Sequence, residues 1–170
     1  ASSILNRKPP DVLSSLMFKF EVDITDQQRH LPVQPERLRD VIEQVLIEEQ
    51  VASAEISLAL VDDAEIHRVN REFLGHDFPT DVISFVLAES AAGESGRHLE
   101  GELVVSTETA IREASSHGWT AADELLLYVV HGLLHLCGYD DLTDEDRPAM
   151  RLRERQVLAH WQLTPTGLEA

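Results

Sequence analysis

The stretch HGLLHLCGYDD, residues 131–141, holds two histidines four residues apart, a glycine three residues further on and a pair of aspartates at its end. On a helix that spacing puts His131 and His135 on one face, where both imidazoles can take the same cation. Gly138 is the residue that best tolerates the left-handed turn closing a helix, and it sends the chain back toward that face. Asp141 follows three residues later with a carboxylate. Two neutral nitrogens and one carboxylate form a three-donor set of the kind that catalytic zinc sites use, with a further position left open. The histidines are flanked by Val129, Val130, Leu133, Leu134 and Leu136, so burial leaves them short of polar partners unless they share a metal. The stretch therefore predicts one zinc ion per chain on His131, His135 and Asp141, with Asp140 as the adjacent alternative carboxylate or a turn residue. Cys137 leaves the shared face and reads as a small buried residue.

Working upstream, the run Leu125–Val130 is continuously apolar, so the metal-bearing helix belongs at the centre of the fold. Thr120 or Asp123 opens it. Glu124 and Tyr128 share the face of His131 and read as a solvated helix start and a core residue. Downstream, a last helix from about Asp144 to His160 has Met150, Leu152, Val157 and Leu158 as apolar positions.

Further upstream, Phe18, Phe20, Val22 and Ile24 alternate with Lys19, Glu21 and Asp23 as a half-buried strand does. Leu38, Val41, Ile42, Val45 and Leu46 recur at helical spacing up to about Glu49, and Ala54–Val61 alternates again as a strand. Asp62 and Asp63 can cap a segment with Ile66, Val69, Asn70 and Phe73 at helical spacing, stopped by Gly75. The predictions continue with a third strand over Pro79–Leu87, a loop over Glu89–Gly96, a fourth strand over Gly101–Val105 and a helix over Thr107–His117. Interleaved strands and helices around one sheet predict a single domain over 16–162, α/β or α+β, with about four strands and four or five helices and the metal site on the central helix and its following loop. Residues 1–15 read as an N-terminal arm and 163–170 as a tail.

Composition narrows the function. The net charge of −17, from 14 Lys and Arg against 31 Asp and Glu, repels polyanions unless the basic residues cluster. No apolar run is long enough for a bilayer span or a secretory segment, and a single cysteine forms no internal disulfide, so a cytoplasmic setting is expected. The metal stretch also fits the spacing of zinc proteases, H-E-x-x-H, but the general-base position is Gly132, which opposes peptide hydrolysis.

HGLLHLCGYDD, followed by Met150 and Glu154, resembles the signature H-G-x-L-H-L-x-G-Y-D-H of the YbeY family. DFPTDVISF, residues 77–85, resembles that family's K-D-x-P-T-D-V-L-S-F segment, and Gly101-Glu102-Leu103 its G-D-I strand. The likeness runs in order over residues 18–160. It implies a mixed four-stranded α+β fold, one zinc ion, and a single-strand-specific endoribonuclease in ribosomal RNA maturation, at the 3′ end of the small-subunit RNA, and in ribosome quality control. The implied partners are ribosomal RNA, ribosomal particles and ribosomal proteins. From this likeness Arg71, Thr80 and Ser84 are candidate substrate contacts, and no residue is assigned to proton transfer.

Asp141 replaces the family's third histidine, Leu74 and His76 replace a basic pair, and Glu102 replaces the G-D-I aspartate. Arg71 lies one helical turn before Leu74 and could replace the lost arginine, with Arg68 and Arg97 the other cations expected near the cleft. Two competing readings follow. One is a zinc-stabilised ribosome-assembly factor that has lost the chemistry; the other is a metalloprotease-like hydrolase.

Overall fold

Alternation carries the first strand, Lys19–Asp26 (β1): Phe20, Val22 and Ile24 pack on the core, while Glu21 and Asp23 are exposed. The computed structural model describes residues 18–93 and 96–166. From β1 the chain passes through Pro35–Glu48 (α1), Val51–Val61 (β2) and Asp63–Val69 (α2), then a π-helical turn over Asn70–Leu74. The hairpin Val82–Gly93 (β3) and Gly96–Ser106 (β4) follows, then Thr107–Glu113 (α3) with a 3-10 turn over Ala114–His117. Ala121–Leu136 (α4), Arg147–Leu158 (α5) and a 3-10 turn over Ala159–Trp161 complete it. The sheet order is β1-β2-β4-β3, with the first three strands parallel and β3 antiparallel to β4. This is the mixed four-stranded α+β sheet that the sequence implies.

Pro35 starts α1 where a missing N–H costs nothing, and its stripe Leu38, Val41, Ile42, Val45 and Leu46 is buried. α1 and α4 cover the sheet face lined by Ile56, Leu58, Leu99 and Leu103. α4 is buried on nearly every side: Leu126, Val129, Val130, Leu133 and Leu134 have no exposed surface, each worth roughly 1.5–3 kcal/mol of burial. Its C-terminal turn is therefore a rigid place to mount ligands. A capping box opens α4: the Thr120 hydroxyl accepts the Asp123 N–H while the Asp123 carboxylate accepts that of Thr120. On the other sheet face a smaller cluster, Val61, Ile66, Val69, Ile83 and Val104, sits against α2. α2 itself is capped by Asp62, which accepts the Glu65 N–H.

Several expectations are corrected. The loop predicted over Glu89–Gly96 is a hairpin, with Glu89 opposite Leu99, Ser90 opposite His98 and Gly93 opposite Gly96. Pairing to a central strand overrides the weak strand propensity of glycine and serine, and β-bulges absorb the irregularity. β4 accordingly starts at Gly96, and β3 starts at Val82 rather than Pro79, where the Asp81 carboxylate takes the Val82 N–H. The helix expected up to His117 tightens into a 3-10 turn after Glu113 and ends at Gly118, φ 70°. α5 starts at Arg147, not Asp144, and Leu152 is half exposed while Glu154 is fully buried. From Met150 the buried positions fall four, seven and eight residues on, at Glu154, Val157 and Leu158, and Leu152 lies off that stripe.

The arm expected over 1–15 lies outside the described residues. At the other end, Leu163 packs on the core, and Thr166 donates its backbone N–H to His117 Nδ1 at 3.1 Å. Among the described residues no helix is long and apolar enough to cross a membrane.

Candidate metal centre

α4 delivers His131 and His135 one turn apart, and the chain then reverses at Gly138, φ 108°, with the Tyr139 N–H returning to the Leu134 carbonyl at 3.0 Å. Asp140 spends its carboxylate on that reversal, accepting the N–H of Asp141 at 2.7 Å and of Leu142 at 3.1 Å. Asp141 is thereby aimed back at the helix. Its carboxylate oxygens lie 3.3 Å from His135 Nε2 and 3.4 Å from His131 Nε2.

The protonation of the two imidazoles tests whether a metal fits. His135 Nδ1 sits 3.0 Å from the Tyr139 carbonyl, which can only accept, so Nδ1 carries the hydrogen. His131 Nδ1 donates at 2.5 Å to Glu154, whose carboxylate is also held by Arg151 at 3.1 Å. Both Nε2 atoms are left with lone pairs, and they face each other 3.0 Å apart. Two lone pairs and a carboxylate converging in this way need a positive charge between them. Donors about 2.0–2.1 Å from one zinc ion stand roughly 3.3 Å from one another, close to the observed 3.0, 3.3 and 3.4 Å. The donor set fits zinc, and the Nδ1 bonds are the outer partners that fix ligating tautomers.

Without a metal, a proton serves instead. Burial works to lower the pKa of His131, but the hydrogen bond and charge of Glu154, with Asp141 and Asp81 behind them, outweigh it and raise the pKa above 6.5. The protonated His131 thus stabilises the metal-free fold below that pH, and the contribution is lost as pH rises through the raised value. Zinc must expel this proton, so its stabilising effect runs the opposite way. The difference in Tm between zinc-loaded and chelated protein is expected to widen from about pH 6 to about pH 8; a difference that narrows would contradict the site.

The donors open on a cavity of about 370 Å³ lined by Asn70, Leu74, His76, Phe78, Thr80, Asp81, Val82, Ile83 and Ser84. Thr80 and Ser84, the candidate substrate contacts, line the same cavity as the two histidines. Ser84 donates its hydroxyl to the Gly132 carbonyl at 3.0 Å, tying β3 to α4. Arg71 is not brought into this lining: it is 63% exposed and stands 4.0 Å from Asp77. The other cations expected near the cleft are engaged elsewhere, Arg68 with Glu65 and Glu72, and Arg97 with Glu89 and the Cys137 carbonyl. Among the described lining residues there is no lysine or arginine.

Gly132 leaves no space for a glutamate. A Cβ there would meet Leu103 and Val82 methyls at 2.9 Å and the Ser84 hydroxyl at 3.1 Å. Gly132→Ala is expected to lower stability by about 1–3 kcal/mol through overpacking, measurable by urea unfolding; an unchanged midpoint would mean that α4 is less tightly seated than its contacts show. Cys137 stays outside the triad, its thiol pushed up to about 12 by burial, and so offers no thiolate to a metal. Glu124, expected at a solvated helix start, is instead buried and accepts the Trp119 indole N–H at 2.6 Å. A second group with metal-like spacing, His30, Asp62 and Glu108, has its carboxylates occupied by the Glu65 and Asp63 backbone N–H groups in the first turn of α2.

Sequence reasoning gave no role to Glu154, Asn70 or Phe78. The first two were detectable as polar residues on otherwise apolar helical stripes; Phe78 carried no such signal.

The Endoribonuclease YbeY family model matches residues 23–162. Relatives of that name include one from Moorella thermoacetica, 41% identical over 150 residues, covering 82% of this chain and 96% of the relative. Another, from Geobacter metallireducens, is 37% identical over 142 residues, covering 82% and 95%. One from Rhodopirellula baltica reaches 52% over 101 residues, 58% of this chain and 50% of that protein. The solution structure of TM1509 from Thermotoga maritima matches with a TM-score of 0.55 at 27% identity, over 83% of this chain and 91% of that one. Since the matched segment runs from within β1 through β2, β3 and β4 and takes in the helix bearing both histidines and the loop bearing Asp141, the chain belongs to the Endoribonuclease YbeY family.

Proposed function

We propose that the protein is a zinc-dependent endoribonuclease that cuts single-stranded RNA during ribosomal RNA maturation, at the 3′ end of the small-subunit RNA, and acts in ribosome quality control in the cytoplasm. The observation that carries this reading is the convergence of two Nε2 lone pairs and the Asp141 carboxylate at one end of an open cavity, in a chain whose relatives bear the name endoribonuclease. When bound, zinc supplies Lewis acidity toward water and a phosphoryl oxygen. His131, His135 and Asp141 hold it, while Glu154 and the Tyr139 carbonyl keep both imidazoles in the ligating tautomer. Leu74 and Val82 add apolar surface to the lining. Ser84 has committed its hydroxyl hydrogen to Gly132, so its oxygen presents lone pairs only.

The absence of lysine and arginine from the described lining favours one further reading, a zinc-bound ribosome-assembly factor that cleaves nothing. Incubating purified protein with ribosomal RNA, with and without chelator, separates the two. Cleavage that is lost on chelation and restored by zinc is expected. Zinc-loaded protein that associates with ribosomal particles and leaves their RNA intact would support the assembly factor instead. With a net charge of −17, association with particles, which add protein contacts, is favoured over naked RNA.

A further inference from the structure

We propose that His76 and Phe78 form a stacking platform for an unpaired nucleobase beside the metal centre, so that this chain grips RNA by its bases where it lacks cations for the phosphates. The inference rests on the endoribonuclease reading and adds to it the means of recognition.

The two rings lie almost parallel, 9° apart with centroids 5.4 Å apart, and both line the cavity that contains His131 and His135. Both are exposed, Phe78 by 53%, and Leu74 beside them by 46%. Exposed aromatic and apolar surface at a polar site marks contact with a ligand more often than it serves stability. The platform is also preorganised. Gly75, φ 72°, turns the chain, and Asn70 then clamps the segment at two points: its carbonyl accepts the His76 N–H at 3.2 Å, and its side-chain amide donates to the Phe78 carbonyl at 2.9 Å. Asn70 is itself 2% exposed, so the clamp is anchored in the fold. Asp77, between the two rings, is held by His67 Nε2 at 2.8 Å.

Electrostatics selects the occupant. Phosphate binding draws its affinity from lysine and arginine, and the described lining has neither. Every base has a π-face, so aromatic stacking binds single strands without needing charge. A base paired within a duplex has both faces covered, and the platform therefore favours unpaired nucleotides.

The test uses the zinc-loaded full chain and fluorescence anisotropy. The probe is a short labelled deoxythymidine oligomer, which an endoribonuclease does not cut, compared with an abasic oligomer carrying the same phosphates. The base-bearing oligomer is expected to bind at least about five-fold more tightly, and Phe78→Leu and His76→Ala each to remove about five-fold or more of that affinity, with Phe78→Tyr retaining it. The slope of log affinity against log salt is expected to stay below about 3 in magnitude, each neutralised phosphate adding about 0.7. Equal binding of the two oligomers, no binding of either, a steeper salt slope, or variants indistinguishable from wild type at equal zinc content and Tm would each overturn the platform. Zinc-dependent cleavage of ribosomal RNA by wild type is scored separately. If cleavage persists while base discrimination is absent, only the platform fails; if discrimination is present and no RNA is cut, only the endoribonuclease reading fails.

Discussion

Replacing His135 with alanine is expected to abolish zinc binding at neutral pH, from about one equivalent per chain to less than about 0.2 by elemental analysis. The expectation follows from two losses at once. One of three donors disappears, and the Tyr139 carbonyl loses the Nδ1–H that ties the imidazole to the turn carrying Asp141. His131 and Asp141 then remain as a two-donor remnant, too few to compete with water for the ion. Stability reports the same event, because a metal bound only to the folded state adds about 4 kcal/mol at a free concentration about 1,000 times Kd. Chelator should therefore lower the Tm of wild type and leave that of His135→Ala unchanged. Asp141→His is expected to keep one equivalent, since a third imidazole replaces the oxygen donor and the loop is partly open at that position. Cys137→Ser should keep it too, because the buried thiol lies outside the triad. A His135→Ala protein that still carries a full equivalent would remove His135 from the donor set.

The architecture was legible because most elements bury one face in a regular period. β1 and α1 announce themselves by alternation of two and by a stripe at three and four, and both are observed with those residues inward. The hairpin between Glu89 and Gly96 was not legible, since its strands are held by backbone bonds to a neighbour rather than by their own composition. Leu152 misled for a related reason: its hydrophobicity suggested burial, but its phase on the helix did not.

At the site, the convergence of His131, His135 and Asp141 was legible because helix periodicity and a glycine turn place them locally, within eleven residues. What sequence could not show was contact between distant segments. Ser84 shares the histidines' cavity because β3 packs on α4 through the Ser84–Gly132 bond, and Thr80 joins it from the segment just before β3. Arg71 was chosen by its distance along the chain from Leu74, yet the π-helical turn leaves it on the solvent side near Asp77. The parallel rings of His76 and Phe78 depend on the Asn70 clamp, which spans eight residues through a side chain.

Glu154 is the buried residue on which both stability and metal affinity converge. It has no exposed surface, accepts from His131 Nδ1, and is paired through both carboxylate oxygens with Arg151. Removing it in Glu154→Ala leaves the Arg151 guanidinium, 29% exposed, without its carboxylate and His131 without an acceptor. Breaking a buried ion pair by deleting one member costs about 3–5 kcal/mol, and loss of an outer partner of a ligating histidine lowers metal affinity about 10–100-fold. Both effects are expected, the first by urea unfolding and the second by competition with a chromophoric chelator on protein shown to be folded. Glu154→Gln separates them. Its amide oxygen can still accept from Nδ1 and hold the tautomer, so zinc affinity should fall less than in Glu154→Ala, while the lost charge leaves Arg151 unpaired and most of the stability deficit in place. If folded Glu154→Ala bound zinc as tightly as wild type, the carboxylate would be a packing element of α5 alone, and the orientation of His131 would have to come from the rigidity of α4.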